Sequence, residues 1–364
     1  MQTRKLCSLD VSSIGLGCMG MTPIYGNPDP ALAIQTIHRA LDLGINLIDT
    51  SDAYGKGANE QLVGRAIAGQ RDRYVISTKF GNLRLPDGRP GVNGRPEYVQ
   101  QACEASLKRL GIDAIDLYFQ HRVDPSVPIE DTVGAMGRLV EQGKVRHIGL
   151  SEAAPARIRR AQATFPITAL QTEYSLATRE VETEILDLCK DLGIGFVAYG
   201  ALGRGLLTGR ITNDTVLDQD DIRLQMPRFQ GANRDTNFAL VARLQKLAQA
   251  ERCTPSQLAI AWLLGRGSTI VPIVGTSKPQ RLEENAAAIS LQPGPSTLRA
   301  LEEIFPAGAV AGARTVLELL PETIEIGTAA LAHTLYYELG MEAMKENAEW
   351  VAIYRQRPIQ PLQG

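Results

Sequence analysis

The sequence predicts an α/β protein: a (β/α)8 barrel of the TIM type with a C-terminal helical extension. Along most of the chain, short apolar segments of strand length alternate with longer segments of helical period, and this alternation favours a parallel sheet. Eight such repeats without a detectable reversal of strand order favour closure of the sheet into a barrel. The 364 residues suffice for one large barrel or two smaller domains. A doubly wound open sheet is the alternative architecture.

The composition is that of a soluble globular protein, with 44% hydrophobic residues and a formal net charge of −2. No long basic or acidic block occurs, which argues against nucleic acid and membrane surfaces as the main partners. No segment approaches the roughly 20 apolar residues of a membrane helix, and the N-terminus lacks the apolar core of a signal peptide.

The five cysteines are scattered along the chain and form no Cys-x-x-Cys motif. They are Cys7, Cys18, Cys103, Cys189 and Cys253. This usage argues against a disulfide framework and a zinc site, and it favours a reducing cytosol. We therefore expect a cytoplasmic protein without a metal centre.

The N-terminal segment Met1–Asp10 is expected to form a hairpin arm. The next segment, Ile14–Gly20, has the G-x-G-x-x-G spacing of a dinucleotide-binding turn. That interpretation requires a helix that begins inside the motif, whereas Met21–Pro30 follows and contains three prolines. We therefore interpret Ile14–Gly17 as the first barrel strand, opening into a glycine-rich loop.

The limits of the helices are indicated by capping residues and prolines at their starts and by glycines at their ends. The first helix begins at Asp29-Pro30 and runs to Leu43. Further helices are expected at Glu60–Ala68, Pro96–Leu110, Pro128–Gln142, Pro155–Ala163, Glu180–Leu192, Thr236–Ala250 and Thr254–Leu264, with a last one after Gly275–Pro279. The intervening strands are expected at Asn46–Thr50, Tyr74–Lys79, Ala114–His121, Val145–Ser151, Thr168–Gln171, Gly195–Tyr199 and Thr269–Val274.

Two segments depart from this alternation. Gly200–Asp235 is long, irregular and rich in glycine, aspartate and arginine, which indicates a functional loop over the site. The tail, 315–364, is expected to form two amphipathic helices, Thr323–Leu339 and Met341–Tyr354, separated by Gly340. An apolar stripe in the first of them favours docking on the barrel. The chain thus divides into a barrel, 1–314, and a tail of unknown role.

Polar side chains end three successive predicted strands. Asp49 ends the second strand and Tyr54 follows it; Lys79 ends the third strand and His121 the fourth. Loops after the C-terminal strand ends form the active sites of such barrels, so these side chains are expected to face one cavity. Polar residues at the later strand ends keep to the same side: Ser151, Glu152, Gln171, Tyr199 and Thr276–Arg281.

The four side chains together suit the protonation of an oxygen on which negative charge develops. A phenol with a pKa of about 10 is a poor acid at neutral pH, but a nearby ammonium lowers its pKa, and Asp49 would hold Lys79 in place. His121 is suited to donate a hydrogen bond to that oxygen or to relay a proton. Taken singly, each residue also has a structural explanation, such as a loop cap or a packed ring.

A second group of residues, Gly275–Asn285, follows the last strand and opens the last helix. Free backbone N–H groups, hydroxyls and the cations Lys278 and Arg281 are suited to bind an anion. TIM barrels often bind phosphate after their last two strands. The alternative is an ordinary capped helix with surface cations.

These segments resemble the aldo-keto reductase superfamily over Leu9–Arg314, in the bacterial and plant branch that includes perakine reductase-like and channel-β-like proteins. The resemblance is carried by Asp49–Gly55 with Asn59-Glu60, Ser77–Gly81, Ser106–Gly111, Asp116–Pro125, Gly149–Glu152, Gln171–Leu176, Leu202–Gly205 and Gly275–Asn285. It implies a barrel that binds NADP(H) without a Rossmann domain and reduces aldehydes or ketones. It also implies a catalytic tetrad of Asp49, Tyr54, Lys79 and His121, with Tyr54 as the general acid.

The resemblance further implies which residues bind the cofactor. Ser151, Glu152 and Gln171 would hold the carboxamide, and Tyr199 would stack on the nicotinamide. The pyrophosphate would lie along Leu202, Arg204 and Arg210, the 2′-phosphate at Ser277, Lys278 and Arg281, and the adenine at Glu284 and Asn285. Cys18, Met19, Asp49, Gly200, Gly275 and Thr276 complete the expected cofactor site. Two cations at the phosphate favour NADP over NAD.

The residues expected at the substrate mouth are Tyr25, Arg89, Arg122, Arg228 and Phe229, and the expected partner is a small carbonyl compound. Two departures from the family bear on the site: Gly200-Ala201 stands where Ser-Pro is common, and Glu152 stands where many relatives have Asn. Two other functions are open: an NADP(H)-binding redox sensor with little turnover, and a Schiff-base aldolase with Lys79 as nucleophile. A partnered ammonium disfavours the second, and the oligomeric state stays open.

Overall fold

The computed structural model describes residues 1–84 and 90–314 of the chain. The chain begins with β1 (Thr3–Leu6) and β2 (Leu9–Ser12), which form an antiparallel hairpin, as expected for the N-terminal arm. Leu6 and Val11 are fully buried and belong to one apolar cluster with residues of the barrel strands. The hairpin therefore packs against the end of the barrel at which the strands begin.

A closed barrel of eight parallel strands forms the centre of the protein. The strands after the hairpin are β3 (Gly15–Gly17), β4 (Leu47–Asp49), β5 (Val75–Phe80), β6 (Asn82–Arg84), β7 (Pro90–Val92), β8 (Ile115–Gln120), β9 (Val145–Ser151), β10 (Ala169–Glu173), β11 (Gly195–Tyr199) and β12 (Ile270–Gly275). β6 and β7 pair with each other outside the barrel. The other eight pair in chain order, and β12 returns to β3. The predicted barrel is confirmed, and closure excludes the doubly wound sheet.

Helices connect and surround the strands. They are α1 (Pro30–Asp42), α2 (Ala58–Ile67), α3 (Pro96–Leu110), α4 (Ile129–Glu141), α5 (Pro155–Thr164), α6 (Ile185–Asp191), α7 (Gly231–Ala250), α8 (Pro255–Leu264), α9 (Pro279–Ala286) and α10 (Pro295–Ile304). The limits of α3 are those predicted, because both ends are set locally: Pro96 occupies its first turn, and Gly111 closes it with a φ of 66°.

The predicted helix Glu180–Leu192 is wrong in its first part. Residues Glu180–Glu182 form a separate 3-10 turn, and α6 begins only at Ile185. Arg179 donates hydrogen bonds to Glu182, and Tyr174 donates another to the same carboxylate. Contacts to side chains outside the segment thus override its helical pattern.

The helices near the end of the barrel also differ from the prediction. α7 begins at Gly231 rather than at Thr236, and α10 was not predicted. The predicted tail helices, Thr323–Leu339 and Met341–Tyr354, lie outside the described residues. Within residues 1–84 and 90–314, no helix combines the length and apolar character needed to cross a membrane.

Candidate active site

A cavity of about 1530 Å³ opens at the C-terminal ends of the barrel strands. Its wall includes Asp49 after β4, His121 after β8, Ser151 at the end of β9 and Gly275 at the end of β12. Ligand pockets are commonly about 300–1,000 Å³ in volume, so this cavity has room for a large ligand and a second, smaller one.

A buried ion pair joins the ends of β4 and β5. The ammonium of Lys79 lies 2.5 Å from Asp49 Oδ1 and donates to the carbonyl of Thr50 at 2.7 Å. The other oxygen of Asp49 accepts hydrogen bonds from Ser77 at 2.8 Å and from Gln171 at 2.9 Å. A buried carboxylate is stable only with such partners. The pair is therefore fixed in place, as the spacing of the strands led us to expect.

The phenol of Tyr54 lies beside this pair. Lys79 Nζ is 5.1 Å from the centroid of the Tyr54 ring. Burial raises the pKa of Tyr54, and the ammonium opposes that shift without cancelling it. The expected lowering of the phenol pKa by Lys79 is thus outweighed by burial, so Tyr54 keeps its proton at neutral pH. Burial lowers the pKa of Lys79, but Asp49 and Tyr54 outweigh it and leave that pKa raised.

His121 completes the group. Its ring meets the Tyr54 ring edge to face, with 5.8 Å between the centroids. Burial, Arg122 and Lys79 together place the pKa of His121 well below its usual value, so the imidazole is neutral. Its Nδ1 lies 3.0 Å from Ser51 Oγ, which leaves Nε2 as the nitrogen available to a ligand.

The structure thus brings the four residues predicted as a tetrad to one place. Near neutral pH the group holds a protonated phenol, a charged ammonium, a carboxylate and a neutral imidazole. Such a set can donate a proton to a ligand oxygen and stabilise the phenolate left behind.

Most of the residues predicted to bind a cofactor lie on the cavity wall. They are Met19, Asp49, Ser151, Gln171, Tyr199, Gly200, Leu202, Arg204, Arg210, Gly275, Thr276, Ser277, Lys278, Arg281, Glu284 and Asn285. The pKa of Arg281 is lowered by burial and by the guanidinium of Arg210, while Glu284 acts in the opposite direction. This concentration of positive charge at the start of α9 suits an anion.

Arg204 tests whether the cavity fits a dinucleotide. It adopts a φ of 55°, in the left-handed region that costs energy for a residue other than glycine. Its Nη1 lies 3.3 Å from the hydroxyl of Tyr25, and its buried Nε has no hydrogen-bond partner among the described residues. An unpaired, buried guanidinium N–H is costly, and a phosphate oxygen in the cavity would satisfy it. The residues of the cavity wall therefore fit a dinucleotide.

The long loop Gly200–Asp235 extends over this cavity, as predicted. The backbone N–H of Ile222 donates to the carbonyl of Ile24 at 3.0 Å. The guanidinium of Arg223 lies 4.9 Å from the centroid of the Tyr25 ring. These contacts join the loop to the segment after β3 and so close one side of the cavity.

Two predicted cofactor residues do not lie on the cavity wall. Cys18 is fully buried. Glu152 is also fully buried; its carboxylate receives two hydrogen bonds from Arg314 and one from the hydroxyl of Tyr199. Although burial raises its pKa, Arg314 lowers the pKa of Glu152 to about 2. In this structure the carboxylate of Glu152, which was predicted to hold a carboxamide, binds Arg314 and Tyr199 instead.

The predicted substrate residues separate into three groups. Tyr25 and Arg122 lie on the cavity wall, and Arg89 lies outside the described residues. Arg228 and Phe229 are not among the described residues that line the cavity. Arg228 donates to Thr178 at 2.7 Å and lies 3.6 Å from Glu173, and the Phe229 ring packs in a separate apolar cluster. Their side chains are already used in holding the loop.

Several site residues were missed from the sequence. Ser51 and Asp52 lie inside the segment Asp49–Gly55, and the sequence shows their position but not their contacts. Tyr98 and Arg109, both on α3, reach the cavity wall, and no sequence pattern distinguishes them from ordinary helix residues. The contact of Arg314 with Glu152 spans 162 positions in the chain and has no local signal.

Comparison with known proteins gives one consistent result. The sequence profile described as the aldo/keto reductase family matches residues 13–305. The chain is 47% identical over 309 residues to a probable aldo-keto reductase 1 of Glycine max, covering 84% of this chain and 88% of that protein.

Two solved structures are similar in fold. A glycerol dehydrogenase of Gluconobacter oxydans matches with a TM-score of 0.76 and 30% identity, over 83% of this chain and 94% of that one. An aldo-keto reductase of Bacillus halodurans in its holo form matches with a TM-score of 0.70 and 27% identity, over 85% and 97%.

Proposed function

The chain belongs to the aldo/keto reductase family, a family of oxidoreductases acting on carbonyl groups, and we propose that it reduces aldehydes or ketones with NADPH, using Tyr54 as the general acid. The observation that carries this proposal is the position of a protonated phenol beside a buried ammonium. Lys79 Nζ lies 5.1 Å from the Tyr54 ring centroid and 2.5 Å from Asp49.

Each residue of the group has a distinct task in the proposed reaction. A reduced nicotinamide, when bound, supplies a hydride to the carbonyl carbon. Tyr54 gives its proton to the carbonyl oxygen as negative charge grows there, and Lys79 stabilises the phenolate that remains. Asp49 keeps Lys79 charged and oriented. His121 donates a hydrogen bond from Nε2 to the same oxygen, which orients the carbonyl.

The raised pKa of Lys79 also bears on the aldolase alternative. A Schiff base requires a neutral amine, whereas Asp49 and Tyr54 favour the charged form of this buried lysine. We therefore do not propose a covalent lysine mechanism.

The cofactor-binding role proposed for the cavity wall is supported by its charge. Arg204, with its unpaired Nε, would meet the pyrophosphate, and Lys278 and Arg281 would meet a 2′-phosphate at the start of α9. Two cations at that place distinguish NADPH from NADH, which has a hydroxyl there. The holo form of the Bacillus halodurans relative is consistent with a bound cofactor in this fold.

The proposed substrate is a small carbonyl compound bound beside Tyr54, between Tyr25 and Arg122. The similarity to a glycerol dehydrogenase makes three-carbon hydroxy-carbonyl compounds reasonable members of a test panel. Aromatic and aliphatic aldehydes are the other members.

The experiment is a turnover assay on the purified full-length chain. NADPH and NADH are each mixed with the panel, and cofactor oxidation is followed by absorbance. We expect carbonyl-dependent oxidation of NADPH, with a lower kcat/KM for NADH. Tight binding of NADPH without oxidation by any member would instead support the redox-sensor alternative.

A further inference from the structure

The hydroxyl of Ser51 lies between a carboxylate and the imidazole of the site. Ser51 Oγ is 3.0 Å from His121 Nδ1 and 3.2 Å from Asp52 Oδ1. The backbone N–H of Ala53 also donates to Ser51 Oγ at 3.2 Å. The carbonyl of Lys79 is farther from this oxygen, at 3.5 Å, and is a weaker competitor.

The bonding capacity of a hydroxyl makes the contacts of Ser51 with His121 and with Asp52 depend on each other. A serine hydroxyl has one proton to donate and two lone pairs. The N–H of Ala53 occupies one lone pair, so one proton and one lone pair remain for His121 and Asp52. If Ser51 donates to Asp52, it must accept from His121 Nδ1–H. If Ser51 donates to His121, Nδ1 carries no proton, and the proton of the neutral imidazole is on Nε2.

We propose that Asp52, acting through Ser51, decides which nitrogen of His121 carries the proton and is therefore a positioning residue for the site. This inference rests on the proposed function, in which Nε2–H donates to the carbonyl oxygen. With Asp52 ionised, Ser51 donates to it and Nε2 is a bare acceptor. With Asp52 protonated, its O–H donates to Ser51, Ser51 donates to Nδ1, and Nε2 becomes the donor that the reaction needs.

The change balances as the uptake of one proton. The proton from solvent binds to the carboxylate of Asp52, and the hydroxyl proton of Ser51 turns from Asp52 to Nδ1. The Nδ1 proton leaves and Nε2 gains one by exchange with water in the cavity. The imidazole stays neutral in both states.

The charged groups around Asp52 place this change near neutral pH. Burial and the carboxylate of Glu60 on α2 raise the pKa of Asp52 to about 7, while Ser51, Arg109 on α3 and the backbone N–H of Ala53 act in the opposite direction. Arg109 is itself paired with Glu60 at 2.6 Å, which limits how far it can stabilise Asp52. Tyr98 on α3 also lies near this charge, since burial and, second to it, Asp52 raise the pKa of Tyr98 to about 12.

The charged groups around His121 keep the imidazole neutral in both tautomers. Arg122 and Lys79 lower its pKa together with burial, so neither tautomer acquires a second proton near pH 7. Tyr54 meets the ring edge to face and is itself neutral. The choice of tautomer is therefore left to the contact with Ser51.

The test is a direct reading of the tautomer by nitrogen-15 NMR of the full-length chain labelled at histidine. The chain has four histidines, and the spectrum of His121→Asn identifies the signal of His121. From pH 6 to pH 8 we expect the His121 proton to move from Nε2 to Nδ1, with a midpoint near 7. In Asp52→Ala and in Ser51→Ala this pH-dependent exchange should disappear, and Asp52→Ala should keep Nε2–H at pH 8.

Asp113→Ala is a matched control, because Asp113 is an exposed aspartate. In this variant the pH-dependent tautomer change of His121 should equal that in the parent chain. The inference is overturned if His121 keeps one tautomer from pH 6 to pH 8, or if Asp52→Ala switches as the parent does. Loss of folding in a variant is checked by circular dichroism, and the parent titration alone still decides the first of these outcomes.

A kinetic measurement separates this inference from the proposed function. If both hold, kcat/KM for carbonyl reduction falls about tenfold between pH 6 and pH 8, as expected for a group with a pKa near 7 that must be protonated, and Asp52→Ala removes the fall. A tautomer change without carbonyl reduction would refute the function and leave the positioning role intact. Carbonyl reduction with a single fixed tautomer of His121 would support the function and refute the positioning role of Asp52.

Discussion

The carboxylate of Glu152 and the guanidinium of Arg314 form a buried two-point ion pair beside the cavity. Nη1 donates to Oε1 at 2.9 Å and Nη2 to Oε2 at 2.6 Å. Tyr199, the residue expected to stack on a nicotinamide, donates its hydroxyl to the same carboxylate at 2.8 Å. The last described residue of the chain thus fixes a residue of the cavity wall through one shared partner.

Breaking this pair should destabilise the protein. Arg314→Ala leaves the carboxylate of Glu152 buried and without its cation, and loss of one partner of a buried pair costs about 3–5 kcal/mol. The free energy of unfolding is measured by urea denaturation. Arg299→Ala removes an exposed arginine and serves as the control, with little expected change. An Arg314→Ala variant as stable as the parent would show that water or a rearranged side chain compensates the carboxylate.

The low pKa of Glu152 predicts a loss of stability in acid. Arg314 holds this pKa at about 2, below the value of about 4.3 for an unfolded glutamate. A depressed pKa stabilises the folded state above the unfolded pKa, and the contribution is lost as the pH falls from about 4.3 towards 2. Glu152→Gln should therefore show a shallower decline of unfolding free energy over this range. An equal decline of unfolding free energy in the parent and in Glu152→Gln would contradict the low pKa of Glu152.

Removing the phenol hydroxyl of Tyr54 should greatly reduce turnover and leave cofactor binding in place. A general acid contributes about 10²–10⁴-fold to a rate, so kcat of Tyr54→Phe should fall at least a hundredfold. Cofactor binding, followed by the quenching of intrinsic fluorescence, should change little. Tyr74→Phe is the matched control: the buried hydroxyl of Tyr74 has no hydrogen-bond partner in the described part of the chain, so its removal should leave activity unchanged.

The cations at the start of α9 should select the cofactor. In Lys278→Ala combined with Arg281→Ala, KM for NADPH should rise about tenfold or more, because two charge-assisted contacts to a phosphate are lost. KM for NADH should change little, since it has no phosphate there. Lys246→Ala, on α7, changes an exposed cation elsewhere and should alter neither value. An equal effect on both cofactors would refute a role in selection.

The sequence predicted well those features that neighbouring residues in the chain determine. The ends of β9, β11 and α3 follow from apolar patterning, proline and glycine, and the side of the barrel that bears Asp49 and Lys79 follows from strand polarity. What it missed depends on contacts between distant residues. Glu152 follows a strand end, as expected for a ligand contact, but its carboxylate is bound by the distant Arg314.

The same limit explains two further differences. The helix predicted over Glu180–Leu192 is divided because Arg179 and Tyr174 bind Glu182, and no periodicity in the segment reports those partners. The pKa of Tyr54 was expected to be lowered by Lys79, yet the depth of burial, which only the folded structure defines, raises it.

The packing of the N-terminal hairpin against the barrel should be sensitive to one glycine. A Cβ added at Gly195, at the start of β11, would lie 2.5 Å from Leu6 Cα, a distance that backbone atoms cannot accept without shifting. Overpacking of a core typically costs about 1–3 kcal/mol, so Gly195→Ala should lower the unfolding free energy by at least that amount.

Gly134→Ala provides the matched comparison, because Gly134 lies inside α4 and a Cβ there would lie in ordinary contact, 3.8 Å, with the flexible end of Arg138. Reduced freedom of the unfolded chain should make this variant about 0.4–1 kcal/mol more stable than the parent. Since both changes add a single methyl group, opposite signs would trace the loss at Gly195 to its contact with Leu6. Equal stability of the two variants would mean that the hairpin can move away from the barrel at no cost.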